Sequence, residues 1–458
     1  MGGAFFLLIK ILTMDSSPYF NTPAPPPSDT PLFFGFLTLL AWAPMPLGSN
    51  RVWSISVLSI GALVLLLGWF WLYARERTHF TLTSKRAWPI IALLVAANLW
   101  LGVQISPLGF TLSGADTAQE FLQGWGLIAL FVLALVLLNS QKRIRWTIYL
   151  VVASGVFQAI YGSLMTLTGT EFTFFIPKDS YKGLATGTFI NRNHLAGYLV
   201  ICLSLGIGMM IASLKSTPSG NWRNRLRRWM TALLGAKARL RIALIILVVG
   251  LVLTHSRMGN SSFFIAMMFT GVVALLLGRK ANRSTMILLG SLLVIDVFIV
   301  GTFFGVEKVV DRLENTSSHR ETRDEVDHYS IALLNNHLLD GSGAGTFYTS
   351  FPEYRGYEIR TFYDHAHNDY IEFLSERGII GMLPLILVIL ATYVAAFFAQ
   401  WKRRDPLMRG LSFGCIMSMT AMALHATVDF NLQIPANAAT FMLVLALGWI
   451  SLFYKKEA

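Results

Sequence analysis

Residues 53–73 read WSISVLSIGALVLLLGWFWLY, a stretch of 21 positions without a charged side chain. An α-helix needs about 20 such residues to cross the hydrocarbon core of a bilayer. Apolar residues make up 54% of the 458-residue chain, and blocks of this kind recur along its length. The sequence therefore predicts an all-α integral membrane protein with about twelve transmembrane helices.

The predicted spans divide the chain into four regions. Residues 1–31 contain a run of prolines and predict a flexible cytoplasmic segment. Residues 32–304 carry helices 1–9, residues 305–378 form one large loop, and residues 379–458 carry helices 10–12 and a cytoplasmic tail. The individual spans are predicted at residues 32–49, 53–73, 87–103, 120–138, 146–167, 194–214, 240–254, 262–278, 285–304, 379–399, 410–428 and 436–454.

Lysines and arginines set the predicted orientation, because cytoplasmic loops retain positive charge. With both termini inside, the cytoplasmic segments carry 24 of the 37 Lys and Arg residues. The net charge of +12 therefore follows from membrane topology, and a nucleic-acid partner is not required. In this orientation the large loop lies on the external side.

The large loop predicts a folded unit, because a loop of such length is usually either functional or disordered and this one is rich in aromatic residues. An apolar stripe at Ile331, Leu334 and Leu338 predicts a helix within it. The glycines of Gly341-Ser-Gly-Ala-Gly345 predict a flexible or tightly packed backbone. They do not predict a dinucleotide-binding loop, because no strand precedes them.

Histidines accumulate on the predicted external side, which holds all of them except His79. A single histidine, or an arginine at a membrane interface, is more often structural than functional. Arg192 and Arg257 nevertheless lie where positive charge is scarce, and each has a histidine within two residues. If the helices form a bundle, three polar segments line one external cavity. These segments are GTFINRNHLAGYL (187–199), THSRMGNSS (254–262) and YDHAHNDYIEF (363–373).

These residue types suit group transfer from a phosphate-linked donor. Guanidinium groups bind phosphate oxygens in a bidentate manner, so Arg192 and Arg257 are candidates for binding a lipid-linked diphosphate. A short helix is predicted from Asn368 to Arg377, with Gly378 as its end. His367 then lies at the helix N-terminus, where the dipole favours neutral imidazole, and is the candidate general base.

A metal site is the alternative for the same stretch. Asp364, His365, His367 and Asp369 all carry potential ligand atoms. Their spacing matches no compact ligand motif, so neither a metal nor another cofactor is predicted. The two cysteines fall inside predicted spans and are interpreted as small buried residues.

His367 and Asn368 are followed after nine residues by Gly378 and, after two more residues, by Gly381. Together with the two upstream segments, this pattern resembles the O-antigen ligase and polymerase superfamily of bacterial membrane glycosyltransferases. The resemblance implies a helical glycosyltransferase fold of the C type and a multi-pass protein of the inner membrane. It also implies a periplasmic active site, an undecaprenyl-diphosphate-linked glycan donor and no metal.

The resemblance further implies roles for individual residues. His367 would be the catalytic base, and Arg192 and Arg257 would bind the donor diphosphate. Arg323 would add a third arginine at the start of the loop helix, a position for which Arg320 competes. The supporting residues would be His194, His255, His365, Asn368 and Asp369.

The expected activity is that of an O-antigen ligase, which transfers the glycan to a hydroxyl of the lipid A core. A polymerase that joins lipid-linked repeats stays open, because its donor chemistry is the same, and so does transfer to protein hydroxyls. A transporter or flippase is the alternative from another class. Transporters usually hold functional charges near the bilayer midplane and contain internal repeats. Here the candidate charges lie at helix ends and no repeat between the halves is evident.

Overall fold

The computed structural model describes residues 29–173, 176–213, 236–277, 290, 323–357, 359 and 362–455. This part of the chain is helical apart from short turns and one antiparallel hairpin, formed by β1 (Phe172–Thr173) and β2 (Ile176–Pro177). Its helices are α1 (Thr30–Trp42), α2 (Val52–Ala74), α3 (Leu82–Arg86), α4 (Trp88–Ile105), α5 (Gly114–Leu137), α6 (Gln141–Thr168), α7 (Arg192–Ser213), α8 (Ala236–Leu253), α9 (Arg257–Leu277), α10 (Arg323–Asn336), α11 (Phe347–Ser350), α12 (Asp369–Lys402), α13 (Pro406–His425) and α14 (Pro435–Phe453).

Within the described ranges, nine helices are long and apolar enough to cross a membrane. This confirms the predicted class, an all-α multi-pass membrane protein. Apart from residue 290, the predicted span at 285–304 lies outside the described residues, as do residues 1–28 and 305–322, so the total of about twelve spans stays a prediction. The nine helices are α2, α4, α5, α6, α7, α9, α12, α13 and α14.

The first predicted span, residues 32–49, is wrong in its length. Helix α1 ends at Trp42 after 13 residues, which gives a rise of about 20 Å against a hydrocarbon core of about 30 Å. Pro44 and Pro46 follow directly, and a proline cannot continue the helical hydrogen-bond ladder. The chain turns instead, and the Ser49 hydroxyl donates to the Ala43 carbonyl at 2.7 Å.

Helices α7, α13 and α14 form the centre of the bundle, because 94%, 78% and 89% of their apolar windows are buried, against 33% for α2, α4 and α12. Glycines let α7 and α13 approach closely. A Cβ atom on Gly208 would lie 2.3 Å from the Gly410 carbonyl, and one on Gly410 would lie 2.3 Å from the Gly208 carbonyl. Such small-residue contacts are typical of helix packing in membranes.

Helix α12 begins with the short helix predicted for Asn368–Arg377, and Asn368 is its N-cap. Gly378 breaks the helical geometry with φ 62° and ψ 179°, as predicted from the sequence. The freed Ile379 amide donates to the Leu338 carbonyl at 2.9 Å. The membrane-crossing part of α12 is therefore set at an angle to its first two turns.

The glycines at 341–345 are required for tight packing, one of the two roles predicted for them. A Cβ on Gly341 would lie 2.1 Å from the Glu376 carbonyl, and a Cβ on Gly343 would lie 2.1 Å from the Thr111 hydroxyl. Both residues have φ above +70°, a backbone conformation that favours glycine. This segment therefore fits against α5 and the kink of α12.

Helix α10 is the helix predicted from the apolar stripe in the large loop, but its buried face differs from the prediction. Ile331 and Leu338 are exposed. Val326 and Leu333 are buried instead, in a small core with aromatic residues of the loop. The apolar periodicity identified the helix, whereas the direction of its buried face depends on contacts with residues that follow the helix, such as Phe347 and Phe351.

Candidate active site

The short connection between α13 and α14 carries a buried carboxylate, Asp429, which is 0% exposed. Its Oδ1 atom accepts a hydrogen bond from the Phe430 amide at 2.9 Å, and its Oδ2 atom accepts one from the Asn193 side-chain amide at 2.5 Å. His194 Nε2 and His367 Nδ1 each lie 3.5 Å from Oδ1. These five residues, Asp429, Phe430, Asn193, His194 and His367, form the Asp429 cluster.

The Asp429 cluster contains a permanent negative charge. Burial by itself would raise the pKa of Asp429, but the contacts with His194 and His367 outweigh burial and hold the pKa well below its usual range. This buried carboxylate therefore places a negative charge 3.5 Å from a nitrogen of each imidazole. The cluster can therefore accept a proton on a histidine without creating an unpaired buried charge.

The Phe430 ring fixes the orientation of three imidazoles. His365 stacks on it with ring centroids 4.0 Å apart and an angle of 17° between the planes. The rings of His194 and His367 meet it edge-on at 4.5 Å and 4.9 Å. Edge-to-face and stacked aromatic contacts are both favourable, so Phe430 is the packing surface that brings these histidines together.

His367 holds an unusual backbone conformation, with φ 56° in the left-handed region. A side chain other than glycine rarely adopts this conformation, and such residues concentrate at functional sites. His367 directly precedes Asn368, whose Oδ1 atom accepts hydrogen bonds from the amides of Tyr370 and Ile371 at 3.1 Å and 3.3 Å. The cap fixes the start of α12, and the His367 side chain, 14% exposed, turns back toward Asp429.

His365 is a cation paired with a buried carboxylate. Its Nδ1 atom lies 2.6 Å from Glu372 Oε1, and Glu372 Oε2 accepts a hydrogen bond from the Ala366 amide at 2.7 Å. Burial lowers the pKa of His365, but Glu372 more than compensates and raises it to about 9. His365 therefore closes the turn before α12 as an ion pair and is poorly suited to accept a proton at neutral pH.

Asp369 connects α12 to the loop that carries Asp429. Its amide donates to the Ala426 carbonyl at 3.0 Å, and its Oδ2 atom accepts from the Leu432 amide at 3.1 Å. Asp369 is 2% exposed. This predicted supporting residue therefore positions the connection between α13 and α14 from outside the Asp429 cluster.

Arg192 is the first residue of α7, two positions before His194, and its guanidinium lies 5.9 Å from the centre of the Tyr181 ring. The structure thus brings the first predicted arginine beside the Asp429 cluster. Its backbone also lies at a helix N-terminus, where the positive end of the dipole attracts anions.

Arg257 is the first residue of α9 and is exposed. Its turn packs on α7 through Gly259, where a Cβ atom would lie 2.6 Å from the Ala196 Cβ. His255 precedes it with φ 52°, a left-handed conformation like that of His367. The second predicted segment therefore lies against the first one, within a helical turn of His194 along α7. Arg323 opens α10, and its side chain lies outside the described part, as does Arg320.

His425 is a further histidine at this end of the bundle. It is the last residue of α13 and is 1% exposed, and neither ring nitrogen has a hydrogen-bond partner among the described residues. Asp429 lies one turn further along the chain. His425 therefore adds a further buried imidazole near the same carboxylate.

Sequence reasoning missed Asp429 and Phe430, which hold the predicted histidines together. The signal available was weak: a single aspartate in the short polar connection DFNLQ between two apolar spans. It also missed Glu372, whose role depends on the fold of the turn before α12. Among the described residues, no group of three His, Cys, Asp or Glu side chains has an arrangement that could hold a metal ion.

Part of this site lies in a region that matches a known protein family. Residues 242–386 match the family model described as O-Antigen ligase. The match includes Arg257, Arg323 and His367, whereas Arg192 and Asp429 lie outside it. No curated protein matches the chain. The match over residues 242–386 supports the O-antigen ligase superfamily as the group that this part of the chain resembles.

Proposed function

We propose that this protein is a metal-independent glycosyltransferase that moves a glycan from an undecaprenyl-diphosphate carrier to a hydroxyl of the lipid A core. The family match supports a glycan-transferring ligase or polymerase. The observation that carries the proposal is the contact between His367 and the buried Asp429 carboxylate. This contact arises at the start of α12, inside the matched region.

His367 is the proposed general base. Its Nδ1 atom faces Asp429 at 3.5 Å, so Nε2 is the nitrogen that takes the proton from the acceptor hydroxyl. The acceptor oxygen forms a bond to the anomeric carbon of the glycan while the bond from that carbon to the diphosphate oxygen breaks. The electron pair leaves with the diphosphate, and Asp429 stabilises the imidazolium that forms.

Arg192 and Arg257 are the proposed diphosphate-binding residues. Each is the first residue of its helix, so each combines a guanidinium with the amides of a helix N-terminus. Charge that develops on the leaving diphosphate is stabilised by donors that are already in place. Arg323, at the start of α10, is the third arginine in this proposal.

The charge distribution supports a periplasmic active site in the inner membrane, with both termini in the cytoplasm. Helices α7, α9, α12 and α14 all begin at the His367 end of the bundle, and α13 ends there. Positive charge collects at the opposite end, as expected for a cytoplasmic face. The described basic residues near that end are Arg75, Arg77, Lys85, Arg86, Lys142, Arg143, Arg145, Arg239, Arg241, Lys402, Arg403, Arg404, Arg409 and Lys455.

The test uses purified full-length protein, an undecaprenyl-diphosphate oligosaccharide and EDTA, with and without a lipid A core acceptor. The wild type should form product only when the core acceptor is present. His367→Ala should form none, whereas His328→Ala, an exposed histidine on α10, should behave as the wild type. Both variants should insert and purify equally well.

Other outcomes assign the function differently. A ladder formed from the donor alone would indicate a polymerase in place of a ligase. Product from His367→Ala at the wild-type rate would remove His367 as the base. Activity that is lost in EDTA and restored by added metal would contradict metal independence. Unchanged donor in every mixture, together with donor movement across a reconstituted bilayer, would favour a flippase.

A further inference from the structure

A cavity of about 430 Å³ lies between α4, α5, α12, α13 and α14. Its wall is almost entirely apolar, with side chains such as Leu101, Phe373, Met419, Phe441 and Met442. The volume is within the range of small-molecule sites, about 300–1,000 Å³. All five helices are candidates for crossing the membrane, so the bilayer itself is the source of any occupant.

The rim of the cavity opens onto the outer surface of the bundle. Tyr370, Ile386 and Leu390 line the cavity and are also 43%, 40% and 55% exposed. Two of these are aliphatic side chains on the membrane-crossing part of α12, which faces hydrocarbon. An aliphatic chain can therefore enter sideways from the bilayer without crossing a polar barrier.

One end of the cavity carries two polar groups without partners. Asp369 Oδ1 and Gln433 Nε2 are both buried and have no hydrogen-bond partner in the described part of the chain, and both residues line the cavity. Asp369 and Gln433 lie close together, because Leu432, which precedes Gln433 in the chain, donates its amide to Asp369 Oδ2 at 3.1 Å. One hydroxyl can satisfy both, by donating to the carboxyl oxygen and accepting from the amide.

The charges around this end disfavour an anionic occupant. Arg377 is the one cation among the described lining residues. Its guanidinium is already paired with Glu120 at 2.8 Å and with Glu376 at 3.2 Å. A phosphate placed beside Asp369 would therefore be buried next to carboxylates without a free cation, which is strongly unfavourable.

We propose that this cavity binds a membrane lipid with one long aliphatic chain and an uncharged, hydroxyl-bearing headgroup. The chain fills the apolar wall, and the hydroxyl bridges Asp369 and Gln433. Such a site differs from a diphosphate-binding site in charge and in position. The inference does not depend on the proposed transferase activity, because it concerns binding alone.

The experiment is photolabelling of the purified full-length protein with a long-chain alkanol that carries a diazirine in its chain, followed by peptide mapping. The matched probe is the alkyl phosphate with the same chain. The alkanol should label cavity peptides of α12, α13 and α14, and unlabelled alkanol should compete. Labelling by the alkyl phosphate at these peptides should be weaker by about tenfold or more, because its charge would be buried beside carboxylates without a free cation.

Four variants make the test specific. Ala438→Phe places a ring in the cavity and should remove the competed labelling, whereas Ala153→Phe, on an exposed face of α6, should leave it unchanged. Asp369→Leu should weaken labelling by the alkanol, and Asp369→Asn, which keeps an acceptor oxygen, should restore it.

Labelling spread evenly over all exposed helices, without competition and unaffected by Ala438→Phe, would overturn the proposal. Stronger labelling by the alkyl phosphate than by the alkanol would overturn it in favour of an anionic lipid. Because both readouts are binding, they stand whether or not glycan transfer is observed.

Discussion

Two buried carboxylate clusters lie near the start of α12, and they differ in how completely their atoms are paired. In the Asp429 cluster, both histidines lie 3.5 Å from the carboxylate, longer than a well-formed hydrogen bond. In the Arg377 network, which consists of Arg377, Glu376 and Glu120, the ion pairs measure 2.8 Å and 3.2 Å.

The surroundings of the Arg377 network are equally well paired. Glu376 Oε1 accepts from the Phe347 amide at 3.0 Å, and Gln104 donates to the Glu376 carbonyl at 2.9 Å. The Trp100 indole donates to the Arg377 carbonyl at 2.9 Å. A cluster with every group paired fixes the position of the loop, whereas a cluster with spare imidazole nitrogens can exchange a proton. We therefore expect the Arg377 network to contribute to stability and the Asp429 cluster to contribute to catalysis.

The largest expected effect comes from Asp429→Asn, which removes the negative charge and preserves the size of the side chain. Glycan transfer should fall by about 10³-fold, because the imidazolium of His367 loses its counter-charge. The rate is measured with purified protein at saturating donor. Asp340→Asn, an exposed carboxylate at the same end of the bundle, should retain full activity. Full activity of Asp429→Asn would contradict a catalytic role for the Asp429 cluster.

A second prediction concerns the leaving group. Arg257→Lys should lower kcat/KM for the lipid-linked donor by about 10²-fold, nearly as much as Arg257→Ala, because an ammonium cannot bind two phosphate oxygens in a fixed plane. Arg355→Lys, at an exposed loop position, is the matched control. Wild-type kinetics for Arg257→Lys would leave Arg257 as an interfacial residue without a role in transfer.

The Arg377 network should respond in stability. Arg377→Leu leaves the Glu376 carboxylate, 1% exposed, without its cation, and should lower the free energy of unfolding by about 3–5 kcal/mol. Thermal unfolding followed by tryptophan fluorescence in detergent measures the change. Activity per folded molecule should stay near that of the wild type, and Glu376→Gln added to Arg377→Leu should recover part of the loss. An unchanged Tm for Arg377→Leu would show that the network contributes little.

The smallest expected effect is a pH dependence from the pair between His365 and Glu372. Folding raises the pKa of His365 to about 9, from an ordinary value of about 6.5. The stability that the pair contributes is therefore complete below about pH 6.5 and is lost as the pH rises through about 9, by about 1–3 kcal/mol. Unfolding curves between these pH values should converge for the wild type and His365→Gln. Parallel curves would contradict the raised pKa.

Local sequence signals correctly predicted where the first part of α12 begins and where it breaks. A short helix begins after Asn368 and breaks at Gly378, as predicted. Arg192 and Arg257 lie at helix ends, as predicted, but they are the first residues of α7 and α9 and do not lie in the preceding turns. These features depend on a few neighbouring residues, because capping, left-handed φ values and apolar periodicity act over one or two turns. The same signals failed at α1, where two prolines outweighed an apolar run, and at the buried face of α10.

The sequence by itself determined that this is a helical membrane protein with polar groups gathered at certain helix ends, because hydropathy and helix ends are local properties. Only the tertiary structure decided which of those groups meet. Asn193 and Asp429 are 236 positions apart, and no local pattern relates them. Their contact exists because α7 and α13 pack closely through glycines, which brings the start of one helix to the end of the other. The unpaired ends of Asp369 and Gln433 likewise became evident only when five helices enclosed a common cavity.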